Sequence, residues 1–448
     1  MIIRVYKLEY YKKRNEKYKN KQMKLKCILS ALLLIAFTRV GAQTGSTSSS
    51  QLKISLQQYL NLVGRENIDY AAQKYEVNIA EAGIESARVF PDPEFSAGVF
   101  DNQQARLKLG QGITFGLATT IELGGKRHAR IEMAKSETEL NKAVLLDYFR
   151  NLRADAALAY YNAIQQYFLL QLQLQSYQSM KQIADADSIR FKLGAISETD
   201  ARQSKLEASN LHNGIYQNEA DWKNARMVMS AYIGKKNPDT LLVPAESFDK
   251  LDRQLNFQAL ADQAQSNRAD AIAALNSKVV ATKNLALVKA NRVTDLGINA
   301  GLQFNGVSAN EVAPTPYHKT VNAGISFPLK FSNRYKGDLK AARFAIAQTE
   351  LKHESVLQQI KAEVSQAYFN YMAAQKQVKQ YQNGLLTEGK KILDAKIYSY
   401  KRGETALLEV LNAQRTYNDT QQAFYGAQSN YAKALIELER AAGIWDIE

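Results

Sequence analysis

The sequence predicts a membrane α+β protein in which four transmembrane β-strands join very long helices, in a chain built from one unit of strand pair and helices used twice. Three observations carry this. All seven prolines, from Pro91 and Pro93 through Pro238, Pro244, Pro314 and Pro316 to Pro328, fall at boundaries and leave 94–237 and 329–448 free of proline. Helices of unusual length are permitted in both stretches. Four segments abandon helical spacing and alternate apolar with small polar residues. Similar landmarks then recur about 200 residues apart. With 46% hydrophobic and 23% charged residues in 448, the chain has the composition of a folded protein.

The formal charge of +14 is uneven: residues 1–42 hold eleven Lys/Arg and two acids, Glu9 and Glu16, which leaves only +5 for the remainder. A polybasic surface for nucleic acid is therefore excluded. Within that basic block Met23, Lys24 and Lys26 precede an apolar run, Cys27 to Phe37, and the small residues Val40-Gly41-Ala42. This is the pattern of a secretory signal peptide, too short to span a bilayer, which needs ~20 residues. Translation is expected from Met23 and cleavage after Ala42, with 1–22 a misassigned start or an extension. Cys27, the one cysteine, lies before the apolar run, where a lipid-anchoring cysteine would follow it. A single cysteine also excludes a disulfide framework and a Cys-based zinc site. Residues 43–51, Ser/Thr-rich, read as a linker.

After the linker, residues 52–245 form the first repeat and 246–448 the second, each expected as a helix, a strand pair, a long helix and a further helix. Lys126 to Lys192 consists mainly of good helix formers, and unbroken it would reach ~100 Å. Phe191-Lys192-Leu193-Gly194 matches Tyr400-Lys401-Arg402-Gly403 at an offset of 209, and Gly234 matches Gly443 at the same offset. Asn67-Ile68-Asp69 matches Arg268-Ala269-Asp270 at 201. Over the last helix Val410, Ala413, Tyr417, Thr420, Phe424, Ala427, Tyr431, Ala434 and Leu438 alternate large and small residues three and four apart. That is a coiled-coil seam, so these aromatics are expected in a core rather than around a cofactor.

The alternating segments follow. Leu296, Ile298, Ala300, Leu302 and Phe304 share one face; Val321, Ala323, Ile325, Phe327 and Leu329 share another; Ile113, Phe115, Leu117 and Ile121 a third; Phe95, Ala97 and Val99 the shortest. Runs of about ten residues with one apolar and one small polar face suit a transmembrane barrel. A half-buried strand of a soluble sheet alternates in the same way and would explain any one of them, but four such strands in an exported chain of long helices favour the barrel. Four strands cannot close, because membrane barrels need at least about eight to pair every backbone group. Copies must pool their strands: two would give eight and three would give twelve, and the residues alone do not choose.

The chain resembles the TolC-like outer-membrane efflux proteins over nearly all of its length from about Leu52. Lys192-Leu193-Gly194-Ala195-Ile196-Ser197-Glu198-Thr199-Asp200 resembles the first helix-to-helix turn of that family. Arg402-Gly403-Glu404-Thr405, followed by Leu408-Glu409-Val410-Leu411-Asn412-Ala413, resembles the second. The resemblance implies a homotrimer whose four strands per chain make a 12-stranded barrel in outer-membrane lipid, continuing into a long periplasmic α-helical barrel. It also implies a periplasmic adaptor and an inner-membrane pump as partners, and no cofactor. Pro91-Asp92-Pro93-Glu94 and Ile121-Glu122-Leu123-Gly124-Gly125-Lys126-Arg127 are similar to the CzcC-like cation-efflux branch, which implies metal export, with drug or other small-molecule export as the alternative. That branch often carries a lipid anchor, and this chain has no credible one.

The resemblance further implies a periplasmic constriction at Glu409 and Asn412, with Asp200 the equivalent in the first half. Three copies of Glu409 around an axis would form a carboxylate ring favouring cations. The turns Leu193, Gly194, Ala195, Ile196, Ser197 and Arg402, Gly403, Glu404, Thr405 would meet the adaptor; alternatively, they only reverse the chain, their glycines supplying positive φ. An enzyme is not expected. Gly124-Gly125-Lys126-Arg127 lacks the glycine and hydroxyl residues of a phosphate loop, the four histidines have no metal-binding spacing, and no nucleophile motif occurs. The rival class is an exported coiled-coil spacer, which would have no use for the strands.

Overall fold

A computed structural model describes residues 52–103, 108–234, 242–245, 247–248, 251–253, 255–330 and 335–445. The signal peptide and linker expected over 1–51 lie outside the described residues. The element order is β1 (Leu52–Ile54), α1 (Leu56–Glu66), α2 (Ile68–Arg88), β2 (Glu94–Asp101), β3 (Gln111–Ile121), α3 (Lys126–Lys192) and α4 (Glu198–Ile233). It continues with β4 (Leu242–Pro244), α5 (Phe257–Asn267), α6 (Ala269–Asn291), β5 (Leu296–Asn305), β6 (His318–Ser326), α7 (Lys336–Gln380), α8 (Leu386–Lys401) and α9 (Leu407–Ala442).

The four alternating segments are strands of one antiparallel sheet in the order β2-β3-β5-β6. Strand β6 ends at Ser326 rather than running on to Leu329, because a residue before proline is restricted and Pro328 has no N–H to offer a ladder. The register places Phe115 against Leu302 and Leu302 against Val321, so one face of the sheet is apolar over its middle, with Thr119 beside Ile298 and Lys319 beside Phe304 as polar exceptions. No helix among the described residues covers that face: Val99 is 82% exposed, and Phe95, Leu117, Leu302, Val321 and Ile325 are exposed with it. The other face carries Ser96, Thr114, Asn299 and Asn322 beside glycines, and a side chain at Gly301 would run into the Asn322 amide. Among the described residues, strands β2 and β6 each have one edge unpaired.

Where sheet meets helices, the Glu122 carboxylate accepts from the two terminal guanidinium nitrogens of Arg130 at 2.8 and 3.2 Å, and Lys126 meets Asp295 at 2.6 Å. Gly124 and Gly125, at φ +72° and +73°, make the sharp exit from β3 into α3. The residues Ile121 to Arg127 are thus occupied in turning a strand into a helix.

Helix α3 runs unbroken for 67 residues. Its counterpart in the second half covers Lys336 to Lys401 but is interrupted by a π turn at Tyr381–Leu385, where Gly384 lies at φ +117° and Asn383 at ψ 29°. The absence of proline permits a continuous rod there; one glycine in a non-helical conformation breaks it. The main core lies where the short helices pack on the long ones. There the buried Tyr160 hydroxyl donates to the Ile54 carbonyl at 3.0 Å, and that of Tyr371 to Leu251 at 3.1 Å. Asn67 Nδ2 donates to the Tyr232 carbonyl and Arg268 Nη1 to that of Ala441, both at 2.8 Å. The acceptors are 209 residues apart. Arg268, buried, also ion-pairs with Asp270 at 2.6 Å and Glu363 at 2.8 Å.

Candidate entrance at the two helical tips

Each tip is a Schellman reversal. At the first, Ala195 N–H donates to Arg190 O at 2.8 Å and Gly194 N–H to Phe191 O at 2.9 Å; at the second, Glu404 N–H donates to Ser399 O and Gly403 N–H to Tyr400 O, both at 3.0 Å. Gly194 and Gly403 sit at φ +74° and +79°, the left-handed position that terminates such a helix. Around these backbones Leu193 is 77% exposed, Ala195, Arg402, Gly403 and Glu404 are exposed, and Ile196 and Thr405 are half-buried. Arg402 pairs with Glu404 at 2.9 Å and donates to the Tyr398 hydroxyl at 2.9 Å.

The two tips treat one carboxylate position differently. Ser197 caps α4: its Oγ accepts from Asp200 N–H at 3.1 Å and donates to the Asp200 carboxylate at 2.8 Å. Asp200 is thereby held on its own helix end. At the equivalent place the N-cap of α9 is Ala406, without a side chain to offer. Glu409 instead reaches across to α8 and meets Lys396 Nζ at 2.8 Å. Hydrogen bonding and charge from the Lys396 ammonium hold the Glu409 carboxyl below the usual carboxylate range. Asn412 is exposed one turn further along α9.

The expected site residues therefore sit at the two tips, and no described side-chain contact brings Glu409, Asn412 and Asp200 together. A residue that sequence reasoning missed lies beneath them. Asp187, on α3, is only 1% exposed and accepts from the Tyr400 hydroxyl of α8 at 2.8 Å. Burial, and then the hydrogen bond to Asp187, push the Tyr400 hydroxyl well above its ordinary range. It stays protonated and donating at any physiological pH. Arg190 completes the clasp, 3.7 Å from Asp187 and donating to the Tyr400 carbonyl at 3.4 Å. The clasp joins a small separate core of Met180, Ile183, Ala208, Leu407 and Val410. The legible signal was an acid in seam spacing after Met180, Ile183 and Ala184; its partner, 213 residues away, gave none. Among the described residues no group of three or more His, Cys, Asp or Glu is placed to hold a metal ion.

Two hairpins with matching reversals, hung from a sheet with a bare apolar face, agree with the comparison to known families. The sequence model of the outer membrane efflux proteins matches twice, over 43–235 and 260–444. The chain belongs to the outer membrane efflux protein family. It is an outer-membrane efflux channel protein whose helical part lies in the periplasm.

Among curated relatives, the cobalt-zinc-cadmium resistance protein CzcC of Cupriavidus metallidurans is 23% identical over 87% of this chain and 90% of its own length. The outer membrane protein TolC of Escherichia coli is 20% identical over 66% of this chain and 62% of its own length. Among solved structures, a membrane protein from Pseudomonas aeruginosa superposes with a TM-score of 0.72, covering 89% of this chain and 95% of that one at 16% identity. The transmembrane channel CusC gives 0.71, covering 91% and 96% at 17% identity. Family and fold are those of channel proteins.

Proposed function

We propose that the chain is the exit duct of a tripartite efflux system, carrying heavy-metal cations outward with a periplasmic adaptor and an inner-membrane proton-driven pump. One observation carries the duct: a four-stranded sheet with an uncovered apolar face and two unpaired edges. Such a sheet reaches a bilayer only when copies of it close into a barrel. Three copies supply the twelve strands, and their long hairpins supply the periplasmic tunnel. The similarity to CzcC over most of both chains supports metal cations as cargo.

In this reading the tips form the periplasmic entrance. Glu409 and Asn412, with Asp200 behind them, surround the narrowest point. Leu193, Gly194, Ala195, Ile196 and Ser197, together with Arg402, Gly403, Glu404 and Thr405, meet the adaptor. A groove beside the first tip, lined by Phe191, Glu198, Arg202, Lys205 and Leu206, is where an adaptor helix would lie. The Asp187–Tyr400 clasp holds the second hairpin against the first, and opening the entrance requires that clasp to loosen.

A growth panel on a strain lacking the gene tests the cargo, with zinc, cobalt, cadmium, copper and nickel salts beside detergents, bile salts, dyes and antibiotics. Hypersensitivity to one or two metals, reversed by complementation, is expected. Sensitivity to amphiphiles alone would overturn the metal assignment and leave a drug-efflux duct. Recovery as a detergent-free soluble monomer would overturn the duct itself in favour of a coiled-coil spacer.

A further inference from the structure

A carboxylate ring attracts cations only to the extent that its charge is not already answered. At the end of the second hairpin every acid between residues 386 and 416 is answered from within the chain. Glu388 meets Lys391 at 2.8 Å, Asp394 meets Lys390 at 3.7 Å, Glu404 meets Arg402 at 2.9 Å, and Glu409 meets Lys396 at 2.8 Å. Lys401 and Arg415 remain, with no acidic partner among the described residues. A helix end that reads as acidic at Glu409 alone is therefore, as folded, neutral to slightly basic.

The Glu409–Lys396 pair differs from the others in its geometry. It bridges two helices, α8 and α9, across the turn, whereas the Glu388, Asp394 and Glu404 pairs lie within one helix or one turn. The two halves of the chain show that it is not imposed by the fold. The position equivalent to Lys396 in the first half is Asp187, and the position equivalent to Glu409 is Asp200. Two acids stand there: one Asp187 oxygen accepts from Tyr400 while the other is buried without a hydrogen-bond partner among the described residues, and Asp200 is held by Ser197. A cation facing the constriction carboxylate is a property of the second tip alone.

We propose that Lys396 is a specificity-determining residue of the entrance, cancelling the Glu409 carboxylate in each copy so that the ring is only weakly cation-selective at rest. The inference rests on the reading that Glu409 surrounds the pathway. Its consequence is that preference for a cationic cargo is imposed by what the pump and adaptor deliver, and the duct conducts without strong charge discrimination. Both side chains are partly exposed, and neither supports the core, so variants at either position should fold and assemble as the parent does.

The test is the reversal potential of the full-length protein in planar bilayers under a potassium chloride gradient at about 0.1 M, where screening extends over ~10 Å. Lys396→Gln is expected to raise the potassium-to-chloride permeability ratio by about threefold or more, Glu409→Gln to lower it, and the double variant to return near the parent value. If Glu409→Gln shifts the ratio and Lys396→Gln does not, Lys396 has no part in selectivity and the inference is overturned while the constriction reading stands. If neither variant moves it, Glu409 does not surround the pathway, and the reading and the inference fall together. A purely structural clip between α8 and α9 would lower thermal stability in either variant without moving the reversal potential, which also overturns the inference.

Discussion

The first half of the molecule holds its shape with a continuous rod and a capped tip; the second uses a broken rod and an uncapped one. Helix α3 is 67 residues without interruption, and Ser197 fastens Asp200 to the start of α4. In the second half Gly384 interrupts the rod, Ala406 leaves α9 without a side-chain cap, and the freed Glu409 pairs outward with Lys396. The two hairpins share a backbone plan and differ at rod and tip: Glu409 and Asn412 belong to the interrupted, uncapped one, Asp200 and residues 193–197 to the continuous, capped one. If the tips are the entrance, as proposed, the interrupted and uncapped hairpin is the one expected to yield first.

The largest test of this contrast is at the bases of the hairpins. Arg268 is buried among Asp270, Glu363 and the Ala441 carbonyl, where the first half has the uncharged Asn67, bonded to the Tyr232 carbonyl and capping α2 through Tyr70 N–H. Arg268→Ala is expected to cost about 3 kcal/mol, since it strands a partly buried carboxylate, against about 1 kcal/mol for Asn67→Ala. Thermal unfolding of the purified protein in detergent measures both, and equal losses would remove the asymmetry. The Arg268 guanidinium also holds the Asp270 carboxyl below the ordinary range despite its burial. A depressed folded-state value contributes stability above the unfolded value and loses it as pH falls through the folded one. The parent should therefore gain acid sensitivity only below the usual carboxylate range.

Next comes the clasp. Tyr400→Phe removes the hydroxyl from a buried carboxylate, and about 2 kcal/mol of tip stability should go with it. The core beneath should persist, so the change should appear as higher or noisier conductance in bilayers rather than as loss of assembly. Unchanged conductance would mean that the clasp does not hold the entrance.

Much of this architecture was legible in sequence because it rests on local patterns. The four strands announced themselves by alternation, the 67-residue rod by its composition, and both reversals by Gly194 and Gly403 at matching positions. What stayed hidden depends on partners far apart in the chain or on a single backbone angle. Asp187 is unremarkable until Tyr400, in the other half, is folded against it. Gly384 reads as one tolerated glycine in a helix former's sequence, and only its φ of +117° shows that the rod stops there. The equivalence of Asp200 and Glu409 was visible, but the consequence of Ser197 being replaced by Ala406 was not, because the cap and the alternative partner compete only in three dimensions.

The break in the rod gives the next effect. Alanine at Gly384 must either adopt a left-handed backbone or straighten the π turn, and a loss of about 1–2 kcal/mol is expected. The equivalent residue of α3 is Gln175, inside a regular helix, where glycine should cost about 1 kcal/mol for the opposite reason. Amide exchange around 381–385 and around 172–178 separates the two cases. Gly384→Ala should slow exchange locally even while global stability falls, and Gln175→Gly should speed it.

The smallest effect is the most pointed, because it asks whether one side chain accounts for the difference between the tips. Ala406→Ser gives α9 the cap that Ser197 gives α4, and a gain of about 0.5–1 kcal/mol is expected from the added hydrogen bond. The new hydroxyl would also compete for Glu409, as Ser197 does for Asp200, and draw the carboxylate back onto its own helix end. Lys396 would then stand alone, and the permeability ratio should move toward anions without any charge having been removed. The shift should vanish in the Glu409→Gln background, since there is then no carboxylate for the serine to capture. A stability gain with no change in permeability would show that the cap and the Lys396 pair are independent, and that the two tips differ by more than the residue at their N-caps.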